Sequence, residues 1–143
     1  MLLTDRLSRE LQEQHGMPIA DYEILVRLSE IPERRMRMSD LADATLSSRS
    51  RLSHQIDRME RSGLVVRQGC ADDRRGAYAT LTDLGWATLV GAAPDHVASV
   101  REHLVDQLTA EEFAALGRAC DKVLAHLDSI GAAPGRLAVP PTS

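Results

Sequence analysis

The chain has 143 residues, of which 43% are hydrophobic and 27% charged, a size and composition that suit one soluble, helix-rich domain with a sizeable core. No apolar run approaches the ~18 residues that cross a bilayer, and no secretory signal pattern is found near the amino terminus, so we expect no membrane partner and a cytoplasmic location. Cys70 and Cys120 lie far apart and outside any CxxC or Cys/His cluster, so they signal neither a disulfide framework nor a zinc site.

The charge is distributed unevenly along the chain. The formal net charge is −4, yet the segment 34–75 carries ten arginines against six acidic residues, a local charge of +4 that leaves −8 for the rest. A basic middle between acidic flanks is typical of a segment that binds a polyanion such as a nucleic acid.

Two helices are predicted before the basic segment. Leucines at positions 3, 7 and 11 place an apolar stripe on a helix over 2–14, which Gly16 and Pro18 end. The run DYEILVRLSEI, which begins at Asp21, is apolar on most sides. It predicts a second helix, buried at the centre of the domain.

A helix-turn-helix is predicted within the basic segment. The run MRMSDLADAT offers a short extended piece and then Ser39 as the N-cap of a helix of roughly two turns. Ser47 or Ser48 caps the next helix, which ends at Gly63 because glycine readily adopts the left-handed conformation found after a helix. Two helices joined by so short a turn form a helix-turn-helix candidate.

The second helix of this pair has two different faces. One face carries Leu52, Ile56 and Met59 at helical spacing, and we expect it to be buried. The opposite face is polar and basic, and it comprises Ser50, His54, Asp57, Arg58 and Arg61.

A β-hairpin with arginines at its tip is predicted next. The runs LVVRQG and AYATLT are expected to be its strands and residues 72–76 its tip. Gly76 permits the turn, and an aspartate beside Arg75 can hold the guanidinium in one rotamer. A helix fits the major groove of B-DNA, and a narrow tip with arginines can enter the minor groove, whose negative potential attracts guanidinium. This order of elements favours DNA binding.

The last third of the chain is predicted to be helical. A helix over 83–107 is expected to kink around Gly91 and Pro94, because proline removes a backbone hydrogen bond. Its apolar stripe consists of Val97, Val100, Leu104 and Leu108.

A final helix is expected to end at Gly131 and to be followed by a flexible tail over 131–143. Thr109 and Glu112 form a capping box at its start. Its apolar residues alternate spacings of three and four, which is the pattern of a coiled-coil seam that packs against a partner such as a second subunit. They are Phe113, Leu116, Cys120, Val123, Leu127 and Ile130.

The run LADATLSSRSRLSHQIDRMERSGLVVRQGCADDRRGAYATLTDLG resembles the winged helix-turn-helix core of MarR-type bacterial transcription regulators. Its most specific parts are DRMERSGLVVR, the D-x-R of 73–75 and LTDLG. The resemblance implies a mainly α fold with a small β-hairpin wing (α+β) in one domain spanning 1–143. Within it, 1–19 and 84–130 would be dimerisation helices, 20–83 the winged helix-turn-helix and 131–143 the tail.

The resemblance also implies a function and a set of DNA-binding residues. Such proteins are dimers, and most repress transcription until a small-molecule effector weakens DNA binding. The residues at positions that would contact DNA are Ser48, Arg49, Ser50, Arg51, Ser53, His54, Arg58, Asp73, Arg74 and Arg75. Of these, Arg58 would contact phosphate, Arg75 would enter the minor groove and Asp73 would orient it. A two-fold dimer predicts a pseudo-palindromic operator in double-stranded DNA.

Relatives bind effectors between the dimerisation helices and the winged domain. That position corresponds here to Tyr22, Met36, Met38 and Trp86, each of which is at least as well explained as a core side chain.

Other readings of the sequence remain. The winged helix could instead be a protein-interaction module without specific DNA binding, or oxidation of Cys70 beside the wing could make the protein a thiol-based redox sensor. No motif of an enzyme is found, and no cofactor is implied. We expect His96 and His103 to be surface histidines rather than metal ligands, and Cys120 to be a core side chain.

Overall fold

The structure, a computed structural model, describes residues 2–69 and 76–130. Two single turns of 3-10 helix occur in these residues, at Pro32–Arg34 and Val105–Gln107. The helices and strands are α1 (Leu2–His15), α2 (Ile19–Ser29), β1 (Arg35–Arg37), α3 (Met38–Ala44), α4 (Arg49–Arg61), β2 (Val65–Gly69), β3 (Ala77–Leu81), α5 (Asp83–His103) and α6 (Ala110–Ser129).

The strands form one antiparallel sheet in the order β1-β3-β2. The predicted hairpin is confirmed, because β2 pairs with β3 in a register that sets Gly69 opposite Ala77. The short extended piece predicted before α3 becomes a third strand, since Arg35–Arg37 pairs with residues 78–80 of β3. This pairing between distant segments extends the expected hairpin into a three-stranded sheet.

The prediction that Ser39 caps α3 is wrong. The helix already begins at Met38, and Arg37 occupies the N-cap position without a side-chain cap. Ser39 lies inside the first turn, where its hydroxyl donates to Asp40 Oδ1 at 3.2 Å. The physical reason is that β1 stays paired as far as Arg37, so the chain passes from strand to helix without an intervening capping residue.

The hydrophobic core lies between the five helices α1 to α5 and the inner face of the sheet. Its largest fully buried side chains are Leu11, Ile24, Leu25, Leu28, Leu41, Leu52, Ile56, Met59 and Val65. Three of these, Ile24, Leu25 and Leu28, belong to α2, which confirms this helix as the buried centre. Each such side chain stabilises the fold by about 1.5–3 kcal/mol through its removal from water.

Helix α5 runs without interruption through Pro94 and ends at His103, four residues before the predicted end. The predicted stripe is not its buried face: Val97 is 55% exposed, and the buried residues are Gly85, Leu89, Ala92 and Ser99. The reason is that α1 and α2 both pack against α5 and select a different face of it.

Helix α6 begins with the predicted capping box, which is confirmed by hydrogen bonds in both directions between Thr109 and Glu112. None of its residues is buried. Cys120, expected in the core, is exposed, because no other segment among residues 2–69 and 76–130 covers the seam. Within the same residues no helix has the length and apolar character needed to cross a membrane.

Candidate nucleic-acid interface

Helix α4 is held in a fixed orientation by its cap and its buried face. The backbone N–H of Arg51 donates to the Ser48 hydroxyl at 3.2 Å, which confirms Ser48 as the N-cap. Leu52, Ile56 and Met59 are almost fully buried. Gly63 has φ +73° and ends the helix, as its position in the sequence predicts.

Seven of the ten residues predicted to contact DNA lie on α4 or at its N-cap. Ser53 is half-buried, and the exposed members of the set are Ser48, Arg49, Ser50, Arg51, His54 and Arg58. The remaining predicted contacts, Asp73, Arg74 and Arg75, lie outside the described residues, as does Cys70.

A buried carboxylate lies behind the exposed face of α4. Asp21, in the first turn of α2, is 6% exposed. Its Oδ1 accepts hydrogen bonds from Gln55 Nε2 at 3.0 Å and from Arg58 Nη2 at 2.9 Å. The Arg58 side chain remains 53% exposed, so it can be held by Asp21 and still face solvent. The available signal in the sequence was a charged residue in a helix that is otherwise apolar on most sides.

Arg67 on β2 fastens the sheet to α4. Its Nη2 donates to the Ser53 carbonyl at 3.1 Å and lies 2.9 Å from Asp57 Oδ1. Its backbone N–H donates to Glu60 Oε1 at 2.8 Å. These contacts fix the base of the hairpin relative to α4. The sequence carries no local signal for them, because Arg67 resembles any other arginine of the basic segment.

Two cavities flank α4. The first, which we call the α4–sheet cavity, has a volume of about 440 Å³ and is lined by Arg37, Met38, Ser39, Arg49, Ser53, Arg67, Gly76 and Ala77. The second, the α2–α4 cavity, has a volume of about 480 Å³ and is lined by Ala20, Ser48, Ser50, Arg51, His54, Gln55 and Arg58.

Of the four residues predicted for an effector pocket, Tyr22, Met36 and Met38 are partly buried against the hydrophobic core. Tyr22 packs against His96 with ring centroids 4.6 Å apart, and Trp86 lies under the Arg34 guanidinium at 4.4 Å. Met36 is in β1, and only Met38 of the four lines either of the two cavities. Burial raises the pKa of Tyr22 and lowers the pKa of His96.

Histidine and carboxylate side chains join α1 to α5. His15 Nε2 lies 2.8 Å from Asp95 Oδ2, and His103 Nε2 lies 2.9 Å from Glu10 Oε1. Hydrogen bonds from Ser99 and then from His103 lower the Glu10 pKa from 4.5 to about 2. Among residues 2–69 and 76–130, no three His, Cys, Asp or Glu side chains are grouped to hold a metal ion.

Comparisons with known proteins identify the family. The MarR family model matches residues 15–76. The homoprotocatechuate degradative operon repressor of Escherichia coli is 30% identical over 117 residues, which cover 82% of this chain and 77% of the relative. The chain belongs to the MarR family.

Two solved structures of MarR family transcriptional regulators from Streptomyces coelicolor are similar to this MarR family member along most of its length. AbsC is 52% identical, with a TM-score of 0.82, and the match covers 90% of this chain and 86% of AbsC. The second, determined in complex with DNA, is 45% identical with a TM-score of 0.83, and the match covers 88% of this chain and 79% of that one. The winged helix-turn-helix fold predicted from the sequence is confirmed.

Proposed function

We propose that this MarR family regulator binds double-stranded DNA as a homodimer, with α4 of each protomer in the major groove and the hairpin tip in the adjacent minor groove. The observation that carries the proposal is the exposed face of α4, where arginines and hydroxyls stand on a helix fixed by its buried side. An exposed helix of this kind fits a groove about 12 Å wide, and Arg49 and Arg51 are suited to guanine edges and phosphates. The relative solved in complex with DNA, at 45% identity, supports this assignment.

A second copy of the chain is the proposed partner of α6. Phe113, Leu116, Val123 and Ile130 are between 43% and 60% exposed along one face of this helix. Such a contiguous apolar surface is unfavourable in water and is typical of an interface. Two copies related by a two-fold axis would place two α4 helices about 34–36 Å apart on a pseudo-palindromic operator.

The proposal also includes a regulatory role: the protein represses transcription, and a small molecule relieves that repression. The relative at 30% identity is a repressor of the homoprotocatechuate degradative operon. The proposed effector residues remain Tyr22, Met36, Met38 and Trp86. We expect homoprotocatechuate or a similar aromatic acid to release the protein from DNA, measured by titration into a mobility-shift assay; failure of every aromatic acid to do so would contradict only this effector step.

An electrophoretic mobility shift with DNA from the protein's own upstream region, read at two salt concentrations, tests the DNA-binding step. Neutralised phosphates release counterions, so the shift should weaken steeply as salt rises. Arg75→Ala should lower the affinity markedly while the thermal unfolding midpoint stays unchanged. Absence of any salt-sensitive shift would favour a protein-interaction module instead.

A further inference from the structure

The first half of α5 is fastened to the winged helix-turn-helix. The Thr82 hydroxyl, which caps the start of the helix, donates to the Gly63 carbonyl oxygen at 2.6 Å. Further along the helix, Leu89 and Ala92 are buried in the core. These contacts make residues 83–92 move together with the winged helix-turn-helix.

The second half of α5 is fastened to α1 instead. Asp95 Oδ2 lies 2.8 Å from His15 Nε2, and His103 Nε2 lies 2.9 Å from Glu10 Oε1. The two pairs hold α1 against α5 at positions about two helical turns apart. Both of these helices belong to the proposed dimerisation part of the chain, so the residues from Asp95 onward move together with α1.

Residues 90–94, between these two halves, form the weakest part of α5. Pro94 has no N–H, so it gives the Val90 carbonyl no hydrogen bond, and helices bend most readily where such a bond is missing. Gly91 adds conformational freedom, and among the described residues nothing lies within 4 Å of its Cβ position. Ala92 is the only buried residue of the five, so little packing resists a bend.

We propose that residues 90–94 are a hinge and that Pro94 lets the two winged domains of a dimer adapt to operators whose half-sites differ in separation. The inference rests on the proposed function, and it makes Pro94 a residue that determines which operator spacings are accepted without contacting DNA. The helix is continuous through Pro94, so the hinge bends without a break. Contacts of α1 with α2 and of Tyr22 with His96 cross the hinge and limit it to small angles.

A small bend is sufficient to change the separation of the two α4 helices. One added base pair moves the half-sites about 3.4 Å apart and rotates them by roughly 35° about the duplex, and the two protomers share this change. Helix α5 begins 11 residues before Pro94, which corresponds to ~16 Å along the axis. A bend of about 17° therefore moves the start of α5 by roughly 5 Å, and proline bends helices by as much as this.

The test measures affinity for three duplexes that carry the two half-sites at their separation in the upstream DNA and at one base pair more and one less. The wild-type protein should bind the two altered duplexes within roughly tenfold of the unaltered one. Pro94→Ala restores the backbone donor and stiffens α5. It should keep the wild-type affinity for the unaltered duplex and lose a further tenfold or more, roughly, on the altered ones, because bending must then break the restored hydrogen bond in each protomer.

Thr88→Ala is the matched control on the same helix. Alanine raises the helix propensity at this position, within the half of α5 that moves with the winged domain, and it restores no hydrogen bond at the hinge. This variant should show the wild-type affinities on all three duplexes. Amide hydrogen exchange of the free proteins supplies a readout without DNA: amides of residues 95–98 should exchange more slowly in Pro94→Ala than in the wild type and in Thr88→Ala.

Three outcomes would overturn the hinge while DNA binding stands. The first is an equal dependence on spacing in the wild type and Pro94→Ala, and the second is a uniform loss of affinity by Pro94→Ala on all three duplexes. The third is a wild-type protein that rejects both altered duplexes as strongly as Pro94→Ala does. Failure of the wild-type protein to bind DNA at all would overturn the proposed function and this inference with it.

Discussion

Asp21 connects the buried centre of the domain to the proposed DNA-binding surface. One carboxylate oxygen accepts from both Gln55 and Arg58 of α4. A buried carboxylate is costly unless it is paired, so these bonds determine how α4 is seated on α2. Arg58, predicted to contact phosphate, therefore also has a partner inside the protein, and its guanidinium enters any DNA contact from a position that Asp21 has set.

Asp21→Ala should destabilise the fold because it leaves Gln55 and Arg58 without their shared acceptor. We expect a loss of about 1–3 kcal/mol in the free energy of unfolding, and a smaller loss for Arg58→Ala, whose side chain is half-exposed. In chemical denaturation the double variant should lose less than the sum of the two, with a coupling of roughly 1 kcal/mol. Asp43→Ala, at an exposed position of α3, serves as the control, and strictly additive losses would show that the pair is not coupled.

Glu10 makes stability dependent on pH. Its pKa falls from 4.5 to about 2 in the folded protein, chiefly through Ser99 and then His103. Between about pH 4.5 and about pH 2, the Glu10 carboxylate therefore binds a proton in the unfolded chain but not in the folded chain. The stabilisation is complete above about pH 4.5 and disappears as the pH falls towards about 2. The denaturation midpoints of wild type and Glu10→Gln should differ near neutral pH and converge over this interval; a gap that stays constant would contradict the prediction.

At the scale of elements, the start of α5 is locked against the segment before β2. A Cβ built on Gly85 would lie 2.1 Å from the Leu64 carbonyl oxygen and 2.6 Å from Leu81 Cδ1. The close approach of helix and sheet therefore requires glycine at this position. It fixes the direction in which α5 leaves the winged domain.

Gly85→Ala should cost about 3 kcal/mol or more, because backbone must move to admit the methyl group. Gly91→Ala in the same helix is the control: nothing lies within 4 Å of its Cβ position, and alanine should stabilise the helix by roughly 0.5–1 kcal/mol. Thermal and urea unfolding of both variants measure the difference. Equal stabilities would mean that the helix and the sheet are not in close contact at Gly85.

At the scale of the whole molecule, we expect the exposed apolar face of α6 to be covered by a second subunit. A helix of 20 residues with no buried side chain gains little stability from packing against the rest of its own chain. The apolar seam and the exposed apolar residues Trp86, Val90 and Val97 on α5 remain for a partner to cover. We therefore expect the stability of α6 to depend on protein concentration.

Val123→Glu should weaken the dimer, because each protomer would bring a carboxylate into the apolar seam. Sedimentation velocity at several concentrations should show the dissociation constant rising roughly tenfold or more. Arg118→Glu introduces the same side chain on the opposite face of α6 and should leave the association unchanged. A dimer that tolerates Val123→Glu would place the interface elsewhere.

Local sequence patterns determined the faces, caps and ends of several helices in this protein. Helical spacing in the sequence predicted the buried side of α4 from Leu52, Ile56 and Met59. Residue types predicted the cap at Thr109, a cap of α4 at Ser47 or Ser48, and the helix end at Gly63. These features depend on residues within a few positions of one another, so their physical causes are present in any short stretch of the chain. The family resemblance then gave the winged helix-turn-helix arrangement, and the exposed side of α4 followed from its buried side.

Tertiary structure decided what depends on residues distant in the sequence. The bond from Arg58 to Asp21 spans 37 positions, and the pairing of β1 with β3 is equally remote, so neither leaves a local signal. Contacts with α1 and α2 selected the buried face of α5 over the predicted stripe. The α4–sheet cavity forms only where four stretches of the chain meet, at residues 37–39, 49–53, 67 and 76–77. Its arginines cannot be told from other surface arginines in the sequence, because a cavity is a property of tertiary packing.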